Sequence, residues 1–506
     1  MSFRVLIVFI MLFSFNYSAA QNEIKYPVNE YSPKWIKLMY HPESDPAKVI
    51  NEYTLFYTSN EFVKNEHTQY YKRWLRSFSR NNIVKTENDS FSKENQKYLK
   101  RSLTNKSPNS QWQSIGPWDF DRLAESRSYA PGAAHVYTIK RCSSSPNVMY
   151  AGTATAGVWK SIDAGQNWFI VTKDLMVNSV FALEVDHSDP NIAFFESGGS
   201  LYKTINGGLN WSIIGDLAFT SLSHSVKDII MDPLNSDVIY LTSQNGFYKT
   251  TDAGNNWNQI LAGDFQEIEL HPIDNLIIYT IKVVGDKTEF YKSIDGGLTF
   301  VLKPNGWPNP ASGDEQKRVE IAVTLAAPSY IYANATGAAN GGSGTYGIYF
   351  SADAGETWTF RCCGTQPSGP ASLSNPNLMG WSDEGTDDGG QYYYDVALAA
   401  DPVDPDKLYL GGVNHWVSTD GGVSFSCPAK WSHGGSDQYV HADIHDIRFF
   451  GNELWIACDG GIFKSSDFGA TINRSMLGIE GTDFWGLEQV LSLTLCLVVR
   501  IIMEHF

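Results

Sequence analysis

The segment Val440–Asp446 alternates histidine and aspartate, a pattern that could bind a metal ion or a polar ligand. His441, Asp443 and His445 are each separated by one residue, and on a β-strand this spacing places all three side chains on one side. Two imidazoles and a carboxylate on one face could hold a transition metal. A straight strand nevertheless spreads them over roughly 13 Å, too far to chelate one ion well. We therefore favour a shared polar patch, which Asp459 on the neighbouring strand would extend.

A second group of oxygen ligands lies in the acidic, glycine-rich stretch Trp381–Gly390. It has four carboxylates within six residues, at Asp383, Glu384, Asp387 and Asp388. Calcium takes about six to eight hard oxygen ligands, and flexible acidic loops supply them. Because the spacing is not that of an EF-hand, the stretch is interpreted either as a calcium site or as a solvated surface loop.

A repeated motif predicts the elements that must position these residues. The pattern Ser/Thr-x-Asp/Asn-x-Gly-x-x-Trp/Phe, here called the corner motif, occurs seven times at intervals of 43 to 67 residues; the last copy ends in Ile. The third residue of the motif is Asp163, Asn206, Asp252, Asp295, Asp353, Asp420 and Asp467 in turn.

Each corner motif predicts a tight β-hairpin. The Asp side chain can accept hydrogen bonds from backbone N–H groups two residues on, and Gly supplies the positive φ that the turn needs. A further strand lies upstream of most copies, so each interval holds about four strands, the size of a propeller blade. The acids of the motif are therefore interpreted as structural and not catalytic.

The corner motif resembles the Asp-box, or BNR repeat, of sialidases, xyloglucan-degrading glycoside hydrolases and sortilin-type (VPS10) propellers. The resemblance covers roughly residues 111–485, and the opening Trp112–Pro117 is similar to that of secreted bacterial proteins with this repeat. It implies an all-β fold: a propeller of at least seven four-stranded blades, preceded by a short helical N-terminal region. It implies little about activity, because one fold hosts many functions.

The longest interval between corner motifs is where ligand-binding loops are expected. It contains the acidic stretch and ends at Gln391–Asp395. Trp381, Tyr393 and Asp395 from this interval join the His/Asp segment as candidate ligand-binding residues. The ligand would be a polysaccharide or an extracellular protein.

A hydrolase is the alternative to a binding or scaffold protein. The sialidases that share the repeat need three arginines and a Tyr–Glu pair, but arginines here are few and scattered. The xyloglucan-cleaving relatives place two catalytic Asp residues between two propellers, and this chain has length for one. No catalytic residue is nominated, and a secreted glycoside hydrolase acting on a polysaccharide stays open.

The charge distribution excludes one partner class and indicates a domain boundary. The 506 residues carry a formal net charge of −17, which disfavours nucleic acid because phosphate contacts need clustered Lys and Arg. Residues 21–110 have 15 Lys and Arg against 10 Asp and Glu, whereas residues 111–506 have 22 against 45. The predicted divisions are a helical prefix and linker over 21–110, the propeller over 111–488 and an apolar tail over 489–506.

The two ends of the chain carry further expectations. Residues 1–20 combine Arg4, an apolar run and small residues before Gln21, which is typical of a signal peptide. We therefore expect a secreted or cell-surface protein; no segment is long enough to span a membrane. The abrupt run Val490–Val499 is interpreted as the end of a truncated chain, which leaves closure of the propeller ring open.

The six cysteines allow disulfides in an exported protein. The adjacent pair Cys362–Cys363 is not expected to bond to itself, so Cys427 is a plausible partner for one of them. The pairing does not follow from the sequence alone.

Overall fold

The computed structural model describes residues 32–41, 45–60, 67–68, 71, 132–175, 177, 179–215, 226–339, 342–363, 371–432, 436–481, 488–490 and 496–498. The chain divides into two compact units, residues 1–113 and 114–505. The predicted tail lies almost wholly outside the described residues; its described part is a short antiparallel pair, Glu488–Val490 with Cys496–Val498.

The described part of the first unit includes the helices α1 (Lys34–Met39) and α2 (Pro46–Ser59). The Asp45 side chain caps α2 by accepting a hydrogen bond from the Ala47 N–H at 2.9 Å. Trp35 is buried against the rings of Tyr53 and Tyr71, with centroids 4.9 and 5.7 Å away. This aromatic cluster joins the two helices.

The second unit is a seven-bladed β-propeller, which confirms the predicted fold class. The strands of its first three blades are β1 (Val136–Arg141), β2 (Met149–Thr153), β3 (Val158–Ser161), β4 (Phe169–Ile170); β5 (Leu183–Val185), β6 (Ala193–Ser197), β7 (Ser200–Thr204), β8 (Ser212–Ile214); β9 (Val226–Met231), β10 (Ile239–Ser243), β11 (Gly246–Thr250) and β12 (Asn258–Ala262). Those of the next two are β13 (Asp264–Leu270), β14 (Ile278–Val284), β15 (Lys287–Ser293), β16 (Val301–Leu302); β17 (Glu315–Val323), β18 (Ile331–Ala339), β19 (Gly342–Ser351) and β20 (Thr359–Cys362). Those of the last two are β21 (Ala397–Ala400), β22 (Leu408–Gly411), β23 (His415–Ser418), β24 (Ser426–Ala429); β25 (Ile444–Phe450), β26 (Glu453–Cys458), β27 (Gly461–Ser465) and β28 (Asn473–Arg474).

Every blade is an antiparallel meander of consecutive strands, in the order first to fourth. The second strands are the most deeply buried; all five residues of β2, β6 and β10 are buried. The fourth strands are short and exposed. Apolar second and third strands therefore pack blade against blade, and the first strands are left to line the axis.

The corner motifs link the third and fourth strands, and all seven share one hydrogen-bond network. In the first copy the Ser161 hydroxyl donates to Asp163 Oδ1 at 2.8 Å and accepts from the Gly165 N–H at 2.9 Å. Asp163 Oδ1 accepts from the N–H of Asn167, four residues on, at 2.9 Å. The predicted hairpins are correct, but the expected acceptance by Asp from two residues on is wrong. The Ser161 hydroxyl accepts the Gly165 N–H instead, and the Asp163 carboxylate reaches across the turn to the Asn167 N–H.

Among the described strands, no blade combines strands from both ends of the propeller, and hydrogen bonds join the first blade to the last. The Ile139 N–H in β1 donates to Asp446 Oδ2 in β25 at 3.0 Å, and Arg141 pairs with Glu453 at 2.8 Å. Further out, the Trp168 indole N–H donates to the backbone oxygen of Ser475 at 2.7 Å. The sequence left closure of the ring open; in the structure both side-chain and backbone hydrogen bonds join blade 7 to blade 1, among them the Gly481 N–H to the Ala133 oxygen at 3.1 Å.

The adjacent cysteines Cys362 and Cys363 form a disulfide with each other, across a cis peptide bond. The expectation that they would not pair, and that Cys427 would bind one of them, is wrong, because the bridge closes within the dipeptide. Cys427 is a free thiol, as are the buried Cys142 and Cys458.

Within the described residues there is no helix with the length and apolarity needed to cross a membrane.

Candidate ligand-binding site at the mouth of the central channel

The first strands of the blades converge on a cavity of about 480 Å³ at one end of the central channel. Its lining residues come from the starts of these strands, such as Tyr137 in β1, Glu267 in β13 and His445 in β25. We name this end the mouth face. The corner motifs lie on the opposite face, because each follows a third strand that begins at the mouth face and runs away from it.

Aromatic rings line one part of the mouth cavity. Tyr393 is 63% exposed and Phe181 45% exposed, so both present ring surface to the solvent of the mouth. The Phe181 ring stacks on Tyr137 with centroids 4.2 Å apart. This pair and Tyr393 together offer flat apolar faces within a polar cavity.

The charged lining of the mouth is nearly balanced. Four basic side chains line the cavity, namely Lys227, Lys317, Arg318 and Arg448. Five acidic side chains line it, namely Asp228, Glu267, Glu269, Glu320 and Asp446. Such a cavity carries many donors and acceptors but little net charge.

Arg318 ties β17 to the insert that precedes β21. Its guanidinium donates to the backbone oxygens of Tyr394 at 3.0 Å and Val396 at 3.1 Å, and to Glu320 Oε1 at 2.8 Å. These contacts position Tyr393 and Tyr394 at the mouth, so a loop far from Arg318 in sequence becomes part of the cavity wall.

Two acids in the cavity wall hold their protons more tightly than an ordinary glutamate does. Burial, followed by the repulsion and hydrogen bond of Glu320 and the charge of Asp228, raises the pKa of Glu267 well above its ordinary value. Burial raises the pKa of Glu269 to about 7, against the opposing effect of Arg448. A protonated carboxyl donates a hydrogen bond as well as accepting one, which widens the range of ligand groups that the cavity can bind.

Three aspartates lie close together beside the mouth. One ends the insert that precedes blade 6, and the other two belong to blade 7. His445 Nε2 lies 2.7 Å from Asp459 Oδ1, and the Tyr394 hydroxyl donates to the same carboxylate at 3.3 Å. Asp443 Oδ1 accepts from the Gln391 side-chain amide at 3.0 Å. We name Asp395, Asp443 and Asp459 the aspartate cluster.

The aspartate cluster is buried and acidic. Asp395 and Asp443 are at most 1% exposed. Burial and the charge of Asp443 raise the pKa of Asp395 well above its ordinary value, and burial and the charge of Asp459 do the same for Asp443. Among the described residues, neither oxygen of Asp395 nor Oδ2 of Asp443 has a hydrogen-bond partner.

The strand geometry predicted for His441, Asp443 and His445 is wrong, and a ligand-binding role for these residues stays a prediction. Strand β25 begins at Ile444, and Asp443 has φ of +59°, so the alternation of a strand does not extend back to His441. The buried His441 ring instead packs against Gly460. His445 in β25 does meet Asp459, which directly follows β26, because β25 pairs with β26.

The predicted residues of the insert separate in the structure. Tyr393 lines the mouth, and Asp395 belongs to the aspartate cluster. Trp381 is 40% exposed and does not line the mouth cavity; its backbone oxygen accepts the Trp431 indole N–H at 3.0 Å. Sequence spacing alone did not distinguish these positions.

The four carboxylates of the acidic stretch do not converge. Asp383 pairs with Lys430 at 3.1 Å, Asp387 accepts the Ser382 N–H, and Asp388 accepts the Ala371 N–H at 2.9 Å. The Glu384 backbone N–H donates a hydrogen bond to the Ser382 hydroxyl. Over the described ranges, no three His, Cys, Asp or Glu side chains are arranged to hold a metal ion. Calcium binding by this stretch stays a prediction.

Several mouth residues were not anticipated, including Tyr137, Phe181, Arg318 and Glu267. They lie on or just before first strands, which no motif marks. A usable indication was their position 23 to 33 residues upstream of the start of a corner motif, in segments such as Glu315–Val323, where charged and apolar residues are mixed.

Comparisons with known proteins agree with the fold. No protein-family model matches the chain, and no curated protein matches it either. Among solved structures, a GH74 xyloglucanase from Xanthomonas campestris is 16% identical with a TM-score of 0.50, over 74% of this chain and 58% of its own. An ancestral GH74 enzyme is 15% identical with a TM-score of 0.49, over 68% of this chain and 47% of its own.

A third structure, YCF48 from Cyanidioschyzon merolae, is 16% identical with a TM-score of 0.44, over 66% of this chain and 95% of its own. The chain thus spans little more than half the length of the first xyloglucanase. At 16% identity, the likeness to the Xanthomonas enzyme is one of fold alone.

Proposed function

We propose that this chain is an exported β-propeller that binds a neutral glycan at the mouth of its central channel and does not cleave it. The observation that carries the proposal is the mouth cavity itself, which combines exposed aromatic faces with a dense, nearly balanced set of polar groups. Sites of this size, concave and with both apolar and polar lining, are typical of small-ligand binding.

The chemistry of the lining favours a sugar over a charged polymer. A pyranose ring has an apolar face that can lie on an aromatic ring such as Tyr393, and hydroxyls that both donate and accept hydrogen bonds. Lys317, Arg318 and Glu320 supply both kinds of partner within one wall. A polyanion would gain from the bases, but acids of the same wall already pair with them, as Glu320 does with Arg318 at 2.8 Å.

Export and a non-catalytic role are supported by the sequence. Residues 1–20 have the composition of a signal peptide, and N-terminal sequencing of protein from the culture medium should begin at Gln21. The resemblance of the corner motif to the Asp-box, including that of sortilin-type ligand-binding propellers, fits a secreted binding protein whose corner acids are structural.

Binding is tested with a panel of neutral and charged polysaccharides in affinity electrophoresis, followed by calorimetry with the best oligosaccharide. Replacing Tyr393 with Ala should weaken binding by about tenfold or more, since a stacked aromatic face contributes on the order of 1–2 kcal/mol. Phe169→Ala is the matched control, because Phe169 is similarly exposed, at 46%, but lies on the outer strand β4. Equal binding by both variants, or no glycan bound by the unmodified chain, would refute the proposal.

A glycoside hydrolase is the second candidate, and the paired acids Glu267 and Glu320 are the observation that favours it. A neutral Glu267 beside an acidic partner could act as a general acid. The two carboxyls, however, share a hydrogen bond, which is closer than the roughly 5–9.5 Å separation of glycosidase pairs. Release of reducing ends by the unmodified chain, abolished in Glu267→Gln, would establish the hydrolase and overturn the non-catalytic proposal.

A further inference from the structure

Two buried carboxylates of the aspartate cluster lack the hydrogen-bond donors that buried acids normally have. Asp395 is 0% exposed and neither of its oxygens has a partner among the described residues. Asp443 is 1% exposed; one oxygen accepts from Gln391, and the other has no partner there. Most buried side-chain polar atoms in proteins have at least one partner, so three bare oxygens in one place point to a missing ligand.

The fold brings the two acids together from neighbouring blades. Asp395 lies two residues before β21, and Asp443 lies directly before β25. Asp443 is the charged group with the largest electrostatic effect on Asp395. Gln391 links the two segments, because its side chain binds Asp443 and its backbone oxygen accepts the Tyr394 N–H at 3.0 Å.

The backbone around Asp443 holds its side chain in this place. Asp443 adopts φ of +59°, a conformation that L-residues other than Gly, Asn and Asp rarely take. The Ile444 N–H donates to the Gly412 oxygen at 2.9 Å, and the Asp443 oxygen accepts the Asp459 N–H at 3.1 Å. An unusual conformation fixed on both sides of a residue is typical of a functional position.

We propose that Asp395 and Asp443 bind a calcium ion between blades 6 and 7, beside the mouth of the channel. Two carboxylates neutralise one divalent cation, and a hard cation prefers the carboxylate, amide and carbonyl oxygens that this region offers. The remaining ligands would be neutral oxygens, since no third acid or histidine joins the two at metal-binding distance. His445 is engaged with Asp459, which disfavours a transition-metal site.

The proposed ion has a structural consequence that does not depend on glycan binding. The ion would join the segment before β21 to the segment before β25. The first of these segments includes Gln391–Asp395 and therefore Tyr393, which lines the mouth. The two proposals can therefore be tested separately: the chain could bind calcium without binding a glycan, or bind a glycan without binding calcium.

The test is calcium titration of the purified full chain after treatment with a chelator. We expect the midpoint of thermal unfolding to rise by at least about 3 °C at saturating calcium, the scale on which a ligand that binds only the folded state acts. Asp395→Asn and Asp443→Asn should each lose the rise. Asp383→Asn is the control: it removes a carboxylate of the acidic stretch, half-exposed and paired with Lys430, and should keep the rise.

A second measurement distinguishes loss of the site from loss of the fold. In chelator, Asp395→Asn should be at least as stable as the unmodified chain, because a neutral amide can be buried beside Asp443 without the proton uptake that the carboxyl needs. Elemental analysis of the chain as purified should find about one calcium per molecule, and none in the variant. The proposal is overturned by absence of any calcium-dependent rise in the unmodified chain, by an equal rise in both variants, or by loss of the rise in Asp383→Asn alone.

Discussion

The hydrogen bond that joins the first strands of blades 1 and 7 predicts a specific weak point at Asp446. This residue lies in β25 and accepts both the Ile139 N–H of β1 and the Arg448 guanidinium, each at 3.0 Å. It is therefore the innermost bond between the last blade and the first. Replacing Asp446 with Ala removes the acceptor and leaves the Ile139 N–H without its partner.

The loss of folding free energy in Asp446→Ala depends on how deeply the groups that bind Asp446 are buried. Ile139 is 1% exposed, and a buried N–H that loses its partner costs about 1–3 kcal/mol. The Arg448 side chain is 31% exposed to the channel, so solvent screens its lost ion pair, which adds no more than about 1 kcal/mol. We expect Asp446→Ala to lower the free energy of unfolding by about 2–3 kcal/mol.

Urea unfolding followed by tryptophan fluorescence measures this loss. Asp446→Asn is the matched variant, because it keeps an acceptor oxygen for Ile139 and should lose less than half as much. Glu453→Gln breaks the more exposed closure pair with Arg141 and should cost under about 1 kcal/mol. If Asp446→Ala is as stable as Glu453→Gln, the inner bond does not hold the ring and the reasoning is wrong.

Three further predictions concern the corners and the channel. Gly254 has φ of +86°, and a Cβ there would meet the Ile214 side chain at 2.8 Å. Gly254→Ala should therefore destabilise the chain by about 1–3 kcal/mol in thermal unfolding. The control is Ala253→Gly, at φ of +56°, which should not destabilise it. Trp168→Phe removes the indole donor to blade 7 and should cost about 1–3 kcal/mol in urea unfolding; no loss would show that the outer closure bond is dispensable. The pKa of Glu269 is raised to about 7 from 4.5, so its stabilising effect is fully present below pH 4.5 and is lost as the pH rises through 7. Glu269→Gln should flatten the fall in melting temperature between pH 5 and 8, and an unchanged pH profile would contradict that assignment.

Local patterns in the sequence were sufficient to predict the blades. Each corner motif contains its own acceptors, donors and glycine within eight residues, so Ser161, Asp163 and Gly165 close their turn whatever surrounds them. Seven such turns, each preceded by strands, predict seven blades. Because these interactions are short-range, reading the residues in order is enough to find them.

The candidate site needed the tertiary structure, because its residues are brought together by the ring. Tyr137 and His445 are more than 300 positions apart in sequence, yet their rings lie 4.6 Å apart at the mouth. Asp395 ends a long insert that no periodicity describes, and only the packing of neighbouring blades places it beside Asp443. The sequence by itself determined the repeating unit, since hairpins are held by neighbours along the chain. Which polar residues share the channel mouth was decided by the closure of seven blades around one axis.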